Sequence, residues 1–229
     1  MAEDFVVLAI CAGNLHRSAL AEALLHRWST WYLPAPLAAR VRTMSAGVVA
    51  PAGSPMGERV QQIAAALGAD GSAHSARRLI DEHMTEADLV LTASQRLRDV
   101  VLQRQPSAVR RTFTIREAGR IAASLDAARA TTVQNLRDAV GRLADHRSPG
   151  DDDITDPEGR GDEAYAALVA EEVPALVHLA TMLYGMPKGD AEQYLKVVAT
   201  GEGLPFPPRA LSGDGESRVG SSRVTSRRV

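Results

Sequence analysis

Apolar positions in this chain fall into two spacings that alternate along its first half. Phe5 to Ile10 is an unbroken apolar run of strand length, the pattern of a strand covered on both faces. From Ser18 onward, Ala19, Leu20, Ala23, Leu24 and Leu25 form a helical stripe. Arg40 to Ser45 predicts a short strand, and Met56 to Leu67 predicts an amphipathic helix ended by Gly68. Asp88 to Ala93 is a second buried-strand run, followed by a helix over Ser94 to Gln103 and a fourth strand over Arg111 to Ile115. This alternation predicts an open α/β fold: a doubly wound, four-stranded parallel sheet with helices on both faces.

The later chain predicts a helix over Thr131 to Asp145, an acidic turn-rich loop over Arg147 to Gly161, and a long helix over Asp162 to Tyr184 interrupted or kinked at Pro174. Beyond Gly185 the pattern decays. Ala191 to Ala199 can form a short helix, and Ala210 to Val229 is rich in Ser, Gly and Arg. The expected organisation is one domain over 1–185 and a largely disordered extension over 186–229.

Composition narrows the function classes. A net charge of −2 argues against a broad nucleic-acid surface. Met1 to Ile10 contains Glu3 and Asp4 and no basic residue, unlike a secretory signal, and no uninterrupted apolar run approaches the ~20 residues of a membrane span. Cys11 is the only cysteine, which excludes an intramolecular disulfide and a cysteine-rich zinc site. A lone thiol suits a reducing compartment, so a cytoplasmic protein with no nucleic-acid or membrane partner is expected.

The chemistry concentrates between the first strand and the first helix, in Cys11-Ala12-Gly13-Asn14-Leu15-His16-Arg17-Ser18. In an open α/β sheet, ligands bind beyond the carboxyl ends of the strands, where Cys11 sits. A helix N-terminus, loop N–H groups and a nearby guanidinium all favour a thiolate over a thiol. The same N–H groups, curled around a sulfur, converge on the oxygens of a phosphate. Arg17 offers a planar fork to two such oxygens, and Ser18 offers a hydroxyl to the sulfur or the phosphate. The bland alternative is that Cys11 is an inert buried residue.

These residues resemble the low-molecular-weight protein tyrosine phosphatase family, whose loop runs Cys, a small residue, Gly-Asn, an apolar residue, usually a second Cys, then Arg-Ser-Pro. The resemblance continues through Ala21-Glu22, Ser45-Ala46-Gly47, the His-x-Ala-Arg segment His74, Ala76 and Arg77, the strand Ala87 to Leu91, and Asp153-Ile154-Thr155-Asp156-Pro157. It implies a cofactor-free, metal-free phosphate-monoester hydrolase. In it, Cys11 is the phosphorylated nucleophile, Arg17 the clamp and Asp156 the general acid. Substrate is bound by Ala12, Gly13, Asn14, Leu15, His16 and Ser18, with Glu22, Ser45 and His74 as structural support.

The chain also departs from the pattern. His16 stands at the second loop cysteine and Ala19 at the usual Pro. Glu158-Gly159 and Val48-Val49-Ala50 stand where members acting on phosphotyrosine often carry aromatics. Met44 and Ser94 stand where some members carry acids. A phosphorylated protein and a small phosphorylated metabolite are therefore both open as substrate. So are arsenate reduction with an external thiol, since one cysteine cannot form an internal relay, and a non-catalytic phosphate-binding module.

Overall fold

All seven residues of strand β1 (Phe5–Cys11) are buried in the computed structural model, which describes residues 4–206. Alternate side chains of a strand leave on opposite faces. Phe5, Val7 and Ala9 enter the larger core, while Val6, Leu8 and Ile10 enter a second cluster with Met44, Ala46, Met84, Val90 and Val101. Burial on both sides is why the run shows no polar alternation. β1 pairs in parallel with β2 (Val41–Gly47) and β3 (Leu89–Thr92), and β3 with β4 (Thr112–Thr114). The sheet order is β2-β1-β3-β4, the four-stranded doubly wound sheet that the alternation predicts. Between β1 and β3 the direction of winding reverses, which opens a crevice beyond their carboxyl ends.

In chain order the helices are α1 (Arg17–Tyr32), α2 (Ala35–Ala38), α3 (Glu58–Ala66), α4 (Asp81–Glu86), α5 (Gln95–Arg104), α6 (Ile115–Ala122), α7 (Val133–Asp145), α8 (Asp162–Tyr184) and α9 (Lys188–Thr200). The short α2, α4 and α6 are absent from the sequence expectation. For α6 a local signal existed: Thr114 and Glu117 form a capping box, with Glu117 N donating to Thr114 Oγ1 at 3.0 Å and Thr114 N to Glu117 Oε2 at 3.4 Å.

The expected interruption of the last long helix does not occur: α8 runs continuously through Pro174. Ala170, whose carbonyl loses its helical donor to that proline, is exposed, so the lost bond does not leave a buried acceptor unpaired. By length and apolar composition α8 could cross a bilayer, but 67% of its most apolar stretch is buried inside the fold. It is the central core helix. α6 crosses it so closely at Gly119 that a Cβ there would lie 2.4 Å from Ala175 Cα.

The boundary expected at residue 185 is not where the domain ends. Gly185 takes a left-handed φ of 73° and closes α8, and α9 then packs back onto it. Ala191, Val198, Leu204 and Phe206 are buried in the main core, and Tyr194 meets the fully buried Trp28 edge-on at 5.1 Å. In α9 the apolar positions are thinly spread among charged ones, so their face becomes visible only beside its partner. The remainder of the expected extension, 207–229 with Arg223, Arg227 and Arg228, lies outside the described residues.

Ending the chain at residue 185 uncovers Trp28 and removes several buried side chains, each worth about 1.5–3 kcal/mol. The truncated chain is expected to melt well below one ending at 206, by circular dichroism. Equal melting temperatures would show that 186–206 adds nothing to the domain.

Candidate active site

β1 ends at Cys11 and α1 begins at Arg17, so Ala12 to His16 must turn the chain within one short loop. Cys11 is only 3% exposed, yet it forms the floor of a hollow of about 350 Å³. Ala12, Gly13, Leu15, His16, Arg17, Val49, Pro51, Asp156 and Glu158 line the rest. Two hydrogens are directed at the sulfur: Asn14 N donates to Cys11 Sγ at 3.1 Å and Ser18 Oγ at 2.9 Å. Donors on two sides suit a sulfur that acts as an acceptor.

The loop's shape is held from behind by Asn14, which is fully buried with φ +55°. Its Nδ2 donates to Ser18 Oγ at 3.0 Å and to Ser45 Oγ at 2.7 Å. Its Oδ1 accepts from Arg77 N at 2.8 Å, and its carbonyl oxygen accepts from His74 Nε2 at 2.8 Å. Ser45 passes its own hydrogen to Glu22 Oε2 at 2.5 Å, and His74 Nδ1 lies 3.3 Å from that oxygen. Gly47 lets β2 approach: a Cβ there would sit 2.5 Å from Ala12 O and 2.8 Å from Asn14 N. The structure thus brings Glu22, Ser45 and His74 together behind the loop. The side chains of Asn14 and Ser18 belong to this buried network, Asn14 holding the loop's shape and Ser18 donating to the sulfur.

Arg17 reaches the hollow from the first turn of α1 while remaining 6% exposed. Its Nη1 donates to Ile154 O at 3.2 Å, and its Nη2 forms an ion pair with Asp156 Oδ2. Ile154 N donates to Ala93 O at 2.9 Å, which anchors the Asp156 loop to the end of β3. On the far side of that loop, Glu171 accepts from Thr155 N at 2.6 Å and Thr155 Oγ1 at 3.1 Å. Asp156 therefore arrives beside a residue 139 positions earlier through bonds made by the two residues that precede it.

The sequence model of the low molecular weight phosphotyrosine protein phosphatase family matches residues 6–118. A protein-arginine-phosphatase of Geobacillus stearothermophilus is 32% identical over 111 residues, 48% of this chain and 69% of that protein. The low molecular weight protein-tyrosine-phosphatase Ptp of Acinetobacter johnsonii is 32% identical over 109 residues, 48% of this chain and 70% of that one. The chain belongs to this family. It is a cysteine-based phosphatase, a hydrolase of phosphoric monoesters. The solved YwlE arginine phosphatase of Geobacillus stearothermophilus superposes with a TM-score of 0.55 at 28% identity, covering 77% of this chain and 90% of that structure.

Several residues of this low molecular weight phosphatase escaped the sequence reading. Pro51 joins Val49, which the family resemblance places in the loop after β2, in an apolar wall, and Tyr165 of α8 packs edge-on against His16 at 5.9 Å. No local pattern could have found Tyr165, because only the packing of α8 brings it to the rim. The same is true of Glu172, which is fully buried with neither carboxyl oxygen hydrogen-bonded among the described residues. Arg17 Nε is likewise buried without a hydrogen-bond partner among them. Burial pushes the Glu172 carboxyl well above the ordinary carboxylate range, against the opposing pull of the Arg17 charge. Burial thus favours the neutral form of Glu172, the form that does not draw on the positive charge of Arg17.

A carboxyl group raised in the fold is accommodated without penalty below its unfolded value. As pH rises above that value, the unfolded chain ionises and the fold loses stability until the folded group titrates too. Glu172→Gln removes this loss, so the variant is expected to melt higher than the parent at pH 7. Its advantage should shrink toward pH 4 in a series of thermal melts. An advantage independent of pH would show that Glu172 carries no raised titration.

Proposed function

We propose that this phosphatase removes phosphate from phosphorylated protein side chains, with Cys11 as nucleophile, Arg17 as phosphate clamp and Asp156 as general acid and base. One observation carries the reading: a sulfur receiving two hydrogen bonds lies in the same hollow as a guanidinium and a carboxyl group. Cys11 attacks phosphorus and the bond to the leaving atom breaks, while Asp156 delivers a proton to that atom. Water then attacks the phosphocysteine, Asp156 takes its proton, and the S–P bond breaks to release inorganic phosphate and the thiolate. Loop N–H groups and Arg17 stabilise the charge on the equatorial oxygens in both steps.

The resting ion pair between Arg17 and Asp156 fits this sequence of events. A phosphate arriving on Arg17 competes for the nitrogen that holds Asp156 and frees its carboxyl group when it is required. The relatives' names point to tyrosine and arginine as phosphorylated side chains, and the apolar wall of Leu15, Val49 and Pro51 suits the stem of either. Arsenate reduction and passive phosphate binding are not favoured by these relatives. Because Cys11 has no second cysteine to protect it as a disulfide, a reducing cytoplasm is the compartment in which the sulfur stays active.

Cys11→Ser is expected to abolish turnover while preserving competitive binding of vanadate or phosphate. Asp156→Asn should lower kcat for poor leaving groups by about 10²-fold or more, with a much smaller loss for good ones. Equal losses would mean that another group is the acid. In a panel of phosphotyrosine peptides, phosphoarginine proteins and sugar phosphates, the phosphorylated polypeptides are expected to show the highest kcat/KM. Preference for a sugar phosphate would overturn the substrate assignment.

A further inference from the structure

Besides the bond from Arg17 Nη1 to Ile154 O, two side-chain contacts join the loop carrying Cys11 to carboxylates of the loop carrying Asp156. One is the ion pair between Arg17 Nη2 and Asp156 Oδ2. The other is His16 Nδ1, which lies 3.1 Å from Glu158 Oε2. Glu158 in turn donates its backbone N–H to Asp156 Oδ1 at 3.3 Å, the oxygen that Arg17 does not hold. We propose that Glu158, clasped by His16, is a positioning residue that keeps Asp156 aimed over Cys11 once substrate has displaced Arg17. This inference rests on the reading of Asp156 as the acid and extends it to a residue outside the Asp-Pro segment.

His16 is suited to the task because it is already immobilised. It is 9% exposed, precedes the first turn of α1, and packs its ring edge-on against Tyr165 at 5.9 Å. Its other ring edge abuts Gly57, where a Cβ would come within 2.6 Å of Nε2, and Gly57 N donates to Leu15 O at 3.0 Å. A ring fixed on these sides loses little further freedom when it grips a carboxylate. Burial lowers the basicity of His16, outweighing the opposite influence of Glu158 and Asp156, and Arg17 lowers it further. A neutral imidazole with its hydrogen on Nδ1 still donates to Glu158, so the clasp does not require a charged ring.

The clasp matters when the ligand is bound. In the free site Asp156 has two supports, Arg17 and the Glu158 amide. With phosphate on Arg17, the amide is the support that remains, so loss of the clasp falls on kcat more than on KM. Glu158 is largely exposed, which limits the expected effect to that of a solvent-screened pair, about three- to fivefold.

The test is the rate of phosphoenzyme formation in single turnovers, with phenyl phosphate as the poor leaving group and 4-nitrophenyl phosphate as the good one. Glu158→Ala is expected to slow the phenyl phosphate reaction about three- to fivefold with KM unchanged, and the nitrophenyl reaction less. Glu158→Gln, which keeps an acceptor for Nδ1–H, should recover most of the rate. In a His16→Ala background, Glu158→Ala should cause no further loss. Equal slowing of both substrates, a Gln variant no better than Ala, or additive losses would each overturn the clasp. Asp156→Asn run in parallel separates the two readings. If it shows the leaving-group dependence and Glu158→Ala does not, the clasp alone is wrong; if it shows none, the acid is misassigned and the clasp falls with it.

Discussion

Asn14 occupies a left-handed backbone conformation in the interior, where an L side chain costs about 1–2 kcal/mol and any unpaired polar atom costs more. It offsets both by engaging its backbone N–H, its carbonyl, both hydrogens of its amide and its amide oxygen. Its five partners belong to four parts of the site: the sulfur of Cys11, the start of α1, the end of β2, and the segment from His74 to Arg77. The turn at Asn14 therefore exists only if these four pieces meet. Conversely, the direction of the loop's N–H groups, and with it the capacity to hold an anion, depends on that one residue.

Charge in the site is arranged so that the single cation is not spent inside the protein. Arg17 is buried among Ile154, Asp156 and Glu172, and a low-dielectric setting strengthens whatever it faces. Burial disfavours the ionised form of Glu172, and Asp156 sits on the solvent side of the guanidinium, where a phosphate can replace it. The guanidinium is thus held by a carbonyl and a displaceable carboxylate, beside a carboxyl group that burial biases toward its neutral form.

Asp156 belongs to no rigid element. Its loop is secured by backbone bonds from Ile154 to β3 and from Thr155 to Glu171 of α8, and by side-chain contacts to Arg17 and His16. Those anchors reach into the sheet, α8 and the loop of Cys11 at once. A loop so tied moves with the domain, while its tip at Glu158 and Gly159 is exposed.

Much of this was legible along the chain, because the features concerned are local. An unbroken apolar run declares a strand buried on both faces, and helical stripes between such runs declare crossovers, so the parallel sheet followed from periodicity. The loop from Cys11 to Ser18 carried its chemistry in residue types at fixed spacing, and Asp156 was identifiable through its proline. What the spacing could not express was contact between distant segments. The burial of Glu172 beside Arg17, the arrival of Tyr165 and Glu158 at His16, and the docking of α9 on Trp28 each need two elements that share no local pattern. Only packing brings them within a hydrogen bond or a van der Waals radius, and short-range preference along the backbone holds no record of that distance.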